Sequence, residues 1–191
     1  MVANSERQNM LLGFLSLYET SSHDGYLGAI LITDLQGIPQ EFRCTHPVKP
    51  TTIQKPLYGN TLESYIGVNL CGIPLIKSIQ NEPSIIVANK DFLLGVRIES
   101  PCPVIFIRRA GEAIDIKPSD SSETIPKRER IDCPTGRFQP IVCAPHPDYD
   151  DDITSAKETL GKIFNYLDPL EPFERMAKAI EVLNKQDKRF Q

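Results

Sequence analysis

No apolar run in this chain approaches the roughly 20 residues that span a bilayer, so the sequence offers no transmembrane helix. The stretch from Met1 to Met10 is polar and carries no signal-peptide apolar core. No Cys-x-x-Cys spacing occurs, and the five cysteines (Cys44, Cys71, Cys102, Cys133 and Cys143) are odd in number, which argues against a disulfide scaffold. These absences lead us to expect a reduced, cytoplasmic, soluble protein with no membrane partner. A large charge excess is missing too. Lys and Arg number 21 against 25 Asp and Glu, a net charge of -4, which gives no general attraction to nucleic acid or to an anionic surface. The GxGxxG, GxxxxGK[ST] and GxSxG patterns are absent, so neither a phosphate-cradling loop nor a nucleophile elbow is indicated.

What is present is the material for one folded domain. The 191 residues are 40% hydrophobic, enough to bury a core without crosslinks. Sixteen prolines point to short elements joined by defined turns. Residues 10–19, 26–34 and 38–46 read as three strands, the second apolar on both faces. In the third, alternation puts Phe42, Cys44 and His46 on one side and Glu41, Arg43 and Thr45 on the other, with the charged side wet. Pro47 to Pro56 reads as an extended loop. A helix follows from Asn60, with Asn60 and Glu63 as a capping box and apolar residues at helical spacing. Further strands are expected at 84–88, 92–98, 103–108 and 138–143, although Phe92-Leu93-Leu94 also suits a helical turn. Ile153, Ala156, Leu160 and Ile163 mark a helix that Asp152 caps. Phe173, Met176, Ile180 and Leu183 mark a second helix beyond the break at Asp168–Pro172.

The expected fold is α+β: a mostly antiparallel sheet of about six or seven strands packed by helices, with a C-terminal antiparallel helix pair. Residues 1–147 form the sheet domain, with a polar mobile loop at 111–135. Residues 148–191 form a helical hairpin, packed on the domain or used as an interaction appendage.

Candidate chemistry is sparse. Cys44-x-His46 and Cys143-x-x-His146 sit at strand ends, and two Cys with two His suit a tetrahedral zinc site. The ordinary reading is that both cysteines are small core residues. The same residues, or Cys102 and Cys133, suit a thiol nucleophile if a base or positive charge stands nearby. The acidic run Asp148–Asp152 is better explained as a helix start than as a cation site. Lys127, Arg128 and Arg130, with Arg108, Arg109 and Arg137, make a basic set without interleaved aromatics, which more often stays solvated than meets phosphate.

The stretch from Gly28-Ala-Ile-Leu-Ile-Thr-Asp34 to Gly37-Ile-Pro39 resembles the central hairpin of roadblock and longin modules. That resemblance implies a dimerisation or adaptor platform. The extra first strand and the 111–135 loop depart from that pattern, and no functional residue carries over. Because no enzymatic motif outweighs its ordinary reading, the expectation is a non-catalytic adaptor or interaction subunit of a cytoplasmic assembly, leaning away from an enzyme and needing no cofactor. Its partner would be another protein or a second copy, with nucleic acid disfavoured. Val48, Ile53, Phe173, Met176 and Ile180 are the expected contact residues. The alternatives are a metal- or thiol-dependent enzyme built on Cys44, His46, Cys143 and His146, and a nucleic-acid-associated accessory protein using the arginines of 108–137.

Overall fold

Strand β1 (Leu11–Glu19) is apolar on both faces and lies in the middle of the sheet, where both faces are covered. The computed structural model describes residues 10–111 and 127–187. In it β1 pairs antiparallel with β2 (Tyr26–Asp34), which pairs antiparallel with β3 (Pro39–Cys44) across a register shift at Ile32/Thr33. On its other edge β1 pairs in parallel with β4 (Ile85–Ala88), and β4 pairs in parallel with β5 (Val104–Arg109). Strands β7 (Ile141–Pro145) and β6 (Glu129–Ile131) complete a seven-stranded sheet of order β3-β2-β1-β4-β5-β7-β6. The expected mostly antiparallel sheet is thus a mixed one. Its parallel centre arises because the helical 54–78 segment carries the chain back to start β4 at the same end as β1.

The tight turn between β2 and β3 is held by the Asp34 carboxylate, which accepts from the backbone N–H of Gln36 and of Ile38, both at 2.9 Å. Gly37 takes φ +81°, a conformation that glycine adopts without strain. In β3 Cys44 packs against the core as expected, but the side expected to be wet is occupied. The Glu41 side chain is only 10% exposed and accepts from Arg43, from the backbone of Gln80 and Asn81 and from the Asn81 amide. Burial opposes ionisation there, but these donors prevail and hold the carboxyl down to about 2. Phe42 is 37% exposed, because β3 is an edge strand with no neighbour beyond it.

The segment expected as an extended loop contains a helix, α1 (Gln54–Tyr58). Thr51 and Gln54 bond reciprocally, backbone N–H to side chain in each direction, at 2.9 and 3.2 Å. That is a capping box four residues long, and it tolerates Pro56 in the first turn. Asn60 and Glu63 do not form the expected one. Helix α2 (Leu62–Tyr65) runs into a π-helical segment, Ile66–Gly72, and then α3 (Ile73–Ser78). Residues 91–99 form a 3-10 helix, not a strand.

Two apolar clusters lie on opposite faces of the sheet. One joins Leu15, Ile30, Ile32, Ile86 and Val104 to α3 and the 3-10 helix. The other joins Leu12, Phe14, Val87, Ile105, Ile141 and Cys143 to α4 (Asp152–Ile163) and α5 (Glu171–Gln186). Helix α4 packs on β5, β6 and β7, and α5 packs on β1 and β2. Each helix therefore buries its stripe against the sheet, which supplies more apolar area than the other helix can. Much of the expected mobile loop falls on 112–126, outside the described residues. Among the described residues, no helix is long and apolar enough to cross a membrane.

Candidate functional site

The two Cys–His pairs do not meet. Cys44 ends β3 at one edge of the sheet, and Cys143 lies in β7 near the other. Five strand spacings of about 4.8 Å separate them, roughly 24 Å in all. Among the described residues, no group of three or more His, Cys, Asp and Glu could hold a metal ion. Burial raises the Cys44 and Cys102 thiols, and it pushes Cys143 up to about 11. His146 lies at the end of β7, where its ring meets the edge of Tyr149 at 5.5 Å.

One thiol differs. Burial disfavours ionisation of Cys133 as well, but the Thr135 hydroxyl 3.3 Å away and the backbone N–H groups of Phe138, Thr135 and Arg137 outweigh it, so the thiol stands at about 7. The turn that aims these amides is closed by Gly136 N–H bonding the Cys133 carbonyl at 3.0 Å. Cys133 is 8% exposed and Cys143 fully buried, so we expect iodoacetamide to label Cys133 slowly, at a rate that rises as pH passes about 7, while Cys143 stays unlabelled until the protein unfolds. Peptide mapping by mass spectrometry after labelling from pH 5 to 9 checks this.

The expected contact residues divide. Phe173, Met176 and Ile180 are at most 6% exposed and belong to the core beneath α5, so the stripe that was expected to face a partner faces the sheet. The reason is that Phe14 offers Phe173 an edge-on ring at 5.7 Å, and the Tyr18 hydroxyl donates to the Phe173 carbonyl at 3.1 Å. Val48 is half-buried and bridges to Tyr26 through paired backbone hydrogen bonds. Ile53 is exposed.

The acidic run also gains a specific role. Asp152 is not a side-chain cap. Its carboxylate takes a forked contact from Arg97 Nε and Nη2 at 2.5 and 3.2 Å. The guanidinium also donates to the Ser100 carbonyl and lies 4.1 Å over the Tyr149 ring.

The basic set is where the structure assembles something new. Arg108 of β5 and Arg130 of β6 are both register partners of Val142 in β7, so they flank it in one row across three strands. Arg128 directly precedes β6 and is exposed. The opposite side of these strands carries Ile107, Ile131, Ile141 and Cys143 into the core beneath α4. On the arginine side, Val142 is only half-buried and Arg130 is exposed, as are Lys127 and Arg128 just before the strand. Asp132 pairs with Arg130 at 2.8 Å and offsets part of the charge. Arg109 faces the other way and is bound to Asp168, and Arg137 lies over the Phe138 ring at 4.9 Å. The basic residues were evident in the sequence, but β6 was not, a three-residue strand inside a polar stretch.

No protein-family model matches the chain, and no curated protein matches it. Solved structures do. The chain is similar to endonuclease V from Bacillus subtilis, with a TM-score of 0.57 at 13% identity, over 97% of this chain and 91% of that one. It has a weaker likeness to Ciona intestinalis endonuclease V in complex with a 24-mer DNA containing an inosine followed by a ribo-adenosine, with a TM-score of 0.45 at 10% identity, over 78% of this chain and 77% of that one. Argonaute from Marinitoga piezophila in complex with a 5′-OH guide RNA gives a TM-score of 0.39 at 11% identity, over 83% of this chain but 27% of that one. The fold is thus shared with that endonuclease V over nearly the whole of both chains. That finding overturns the expectation of a non-catalytic adaptor with a protein partner, and with it the disfavouring of nucleic acid.

Proposed function

We propose that this protein binds nucleic acid, with Arg108 and Arg130 on the face of β5, β7 and β6 opposite α4, and Arg128 beside them, as a phosphate-contacting surface. The observation that carries the reading is this juxtaposition of arginines on a sheet face that α4 does not cover. The end-to-end likeness to endonuclease V supports it. Guanidinium groups suit phosphate because their planar donors engage its oxygens in pairs. A chain of net charge -4 confines such binding to the local patch and makes it salt-sensitive. The reading is one of binding, and no residue is assigned a catalytic step. The five free cysteines fit a reducing, cytoplasmic setting.

The test is the salt dependence of binding to a labelled single-stranded oligonucleotide, compared between the wild type and a variant carrying Arg108→Gln, Arg128→Gln and Arg130→Gln. Each phosphate contact contributes about 0.7 to the slope of log affinity against log salt, so the variant's slope should be shallower by about 2. Equal slopes in the two proteins would reject the surface. Wild-type binding that ignores salt, or no binding at low salt, would reject the function.

A further inference from the structure

Helices α1 and α2 border a shallow, wide-open recess that the arginine row does not use. It has a volume of about 300 Å³ and is lined by Tyr58, Thr61, Ser64, Tyr65, Val68 and Asn69. The Tyr58 and Tyr65 rings stand 4.9 Å apart at 39°, and Tyr65 is 38% exposed. Aromatic pairs on a surface present flat π-faces at small entropic cost. The rim is polar in a particular sense. Thr61 Oγ1 donates to the Tyr58 carbonyl at 2.7 Å and Ser64 Oγ donates to the Thr61 carbonyl at 2.9 Å. Both hydroxyl protons are committed, so these oxygens face a ligand as acceptors, while the exposed Asn69 amide both donates and accepts.

The floor of the recess is the π-helical segment Ile66–Gly72, which supplies Val68 and Asn69. Wide helical turns of this kind are uncommon and recur at functional sites. This one is held by tight packing. A Cβ on Gly67 would come within 2.6 Å of the Phe92 ring, and one on Gly72 within 2.6 Å of Val96. The segment also meets the sheet at Gly28, where an added Cβ would lie 2.6 Å from Cys71. Gly28 is two residues from Ile30, whose side chain joins the cluster that also holds Val104 and Phe106. Phe106 is in turn two residues from Arg108, so recess and arginine row lie on the same side of the sheet.

We infer that this recess takes an unpaired nucleobase of a single strand. The inference rests on the nucleic-acid reading above and deepens it, naming single-stranded over duplex ligand. A base brings a flat face for the tyrosines and an edge with donors and acceptors for Thr61, Ser64 and Asn69, and a duplex withholds both. An apolar peptide would leave that polar rim unanswered.

The chain contains no tryptophan, so its tyrosine emission can be read directly. The full chain is titrated with an oligothymidine of about 16 nucleotides, the upper end of the usual single-strand site size, and with a duplex of equal length. Wild-type emission should fall on saturation with the single strand and stay level with the duplex. Tyr58→Ala with Tyr65→Ala should weaken single-strand binding about 5- to 150-fold, the effect of losing one stacked base. Tyr58→Phe with Tyr65→Phe should bind like the wild type, since stacking needs the ring and not the hydroxyl. Asn69→Glu, at an exposed position that burdens folding little, should also weaken the single strand. Unquenched wild-type emission at saturation, or tight binding by the alanine pair when the arginine variant has lost affinity, would overturn the recess and leave the arginine surface standing. A wild type that binds neither probe at low salt would overturn both.

Discussion

A variant with serine at Phe173, Met176 and Ile180 should not fold. Truncating a buried Phe, Met or Ile costs about 2–5 kcal/mol each through lost burial and the cavity left behind. The sum rivals the whole stability of about 5–15 kcal/mol expected for a single domain. Serine adds an unsatisfied hydroxyl at each place. Circular dichroism and size exclusion of the triple variant read the result. Ile180→Ala alone, about 2–5 kcal/mol in urea unfolding, confirms that the loss is graded. A folded triple variant would mean that α5 is not packed on β1 and β2.

Asp152→Ala should lower stability by about 3–5 kcal/mol, because it leaves the Arg97 guanidinium largely buried without its counter-charge. The side chains of the pair are only 15% and 10% exposed. The Asp152 carboxylate, through its bonds to Arg97, holds that guanidinium protonated more firmly than usual. The double variant Arg97→Met with Asp152→Leu should recover most of the loss, since an apolar pair has no charge to strand. Urea unfolding of the single and double variants separates the two effects. Equal losses in both would show that Arg97 acts by packing on Tyr149 and not by charge.

The contrast between these two sites shows what was legible in the chain. The α5 stripe was plain from its spacing, since helical periodicity is a local property. Which surface it faces was not, because an apolar stripe reads the same whether it meets a sheet or a partner. Short apolar runs gave β1, β2, β4 and β5 to within a residue or two at their ends. Alternation, used for β3, misjudged Glu41, whose partners at Gln80 and Asn81 lie some forty residues away. The Arg97–Asp152 pair spans 55 residues and left no trace in the spacing of either. Thr51 and Gln54 were a readable signal that the three prolines of 47–56 obscured. The candidate interface was half visible: the basic residues were evident, but their shared face depends on the pairing of β5, β7 and β6. The tyrosine recess had no sequence signature, because Tyr58 and Tyr65 become neighbours only through the change from α1 to α2.

The mixed order of the sheet also shapes how the chain can be made. Strands β1, β2 and β3 are consecutive and joined by tight turns, so they form a local antiparallel unit soon after synthesis. The free edge of β1 must then wait for β4, whose pairing Leu12↔Ile85 closes a loop of more than seventy residues. Closing so long a loop is slow compared with forming a hairpin. During that interval a growing polypeptide exposes the apolar edge Leu12–Leu15, a template for wrong pairing with another nascent copy. The place of β1 inside the finished sheet thus leaves the half-synthesised chain with an unpaired apolar edge until β4 has emerged.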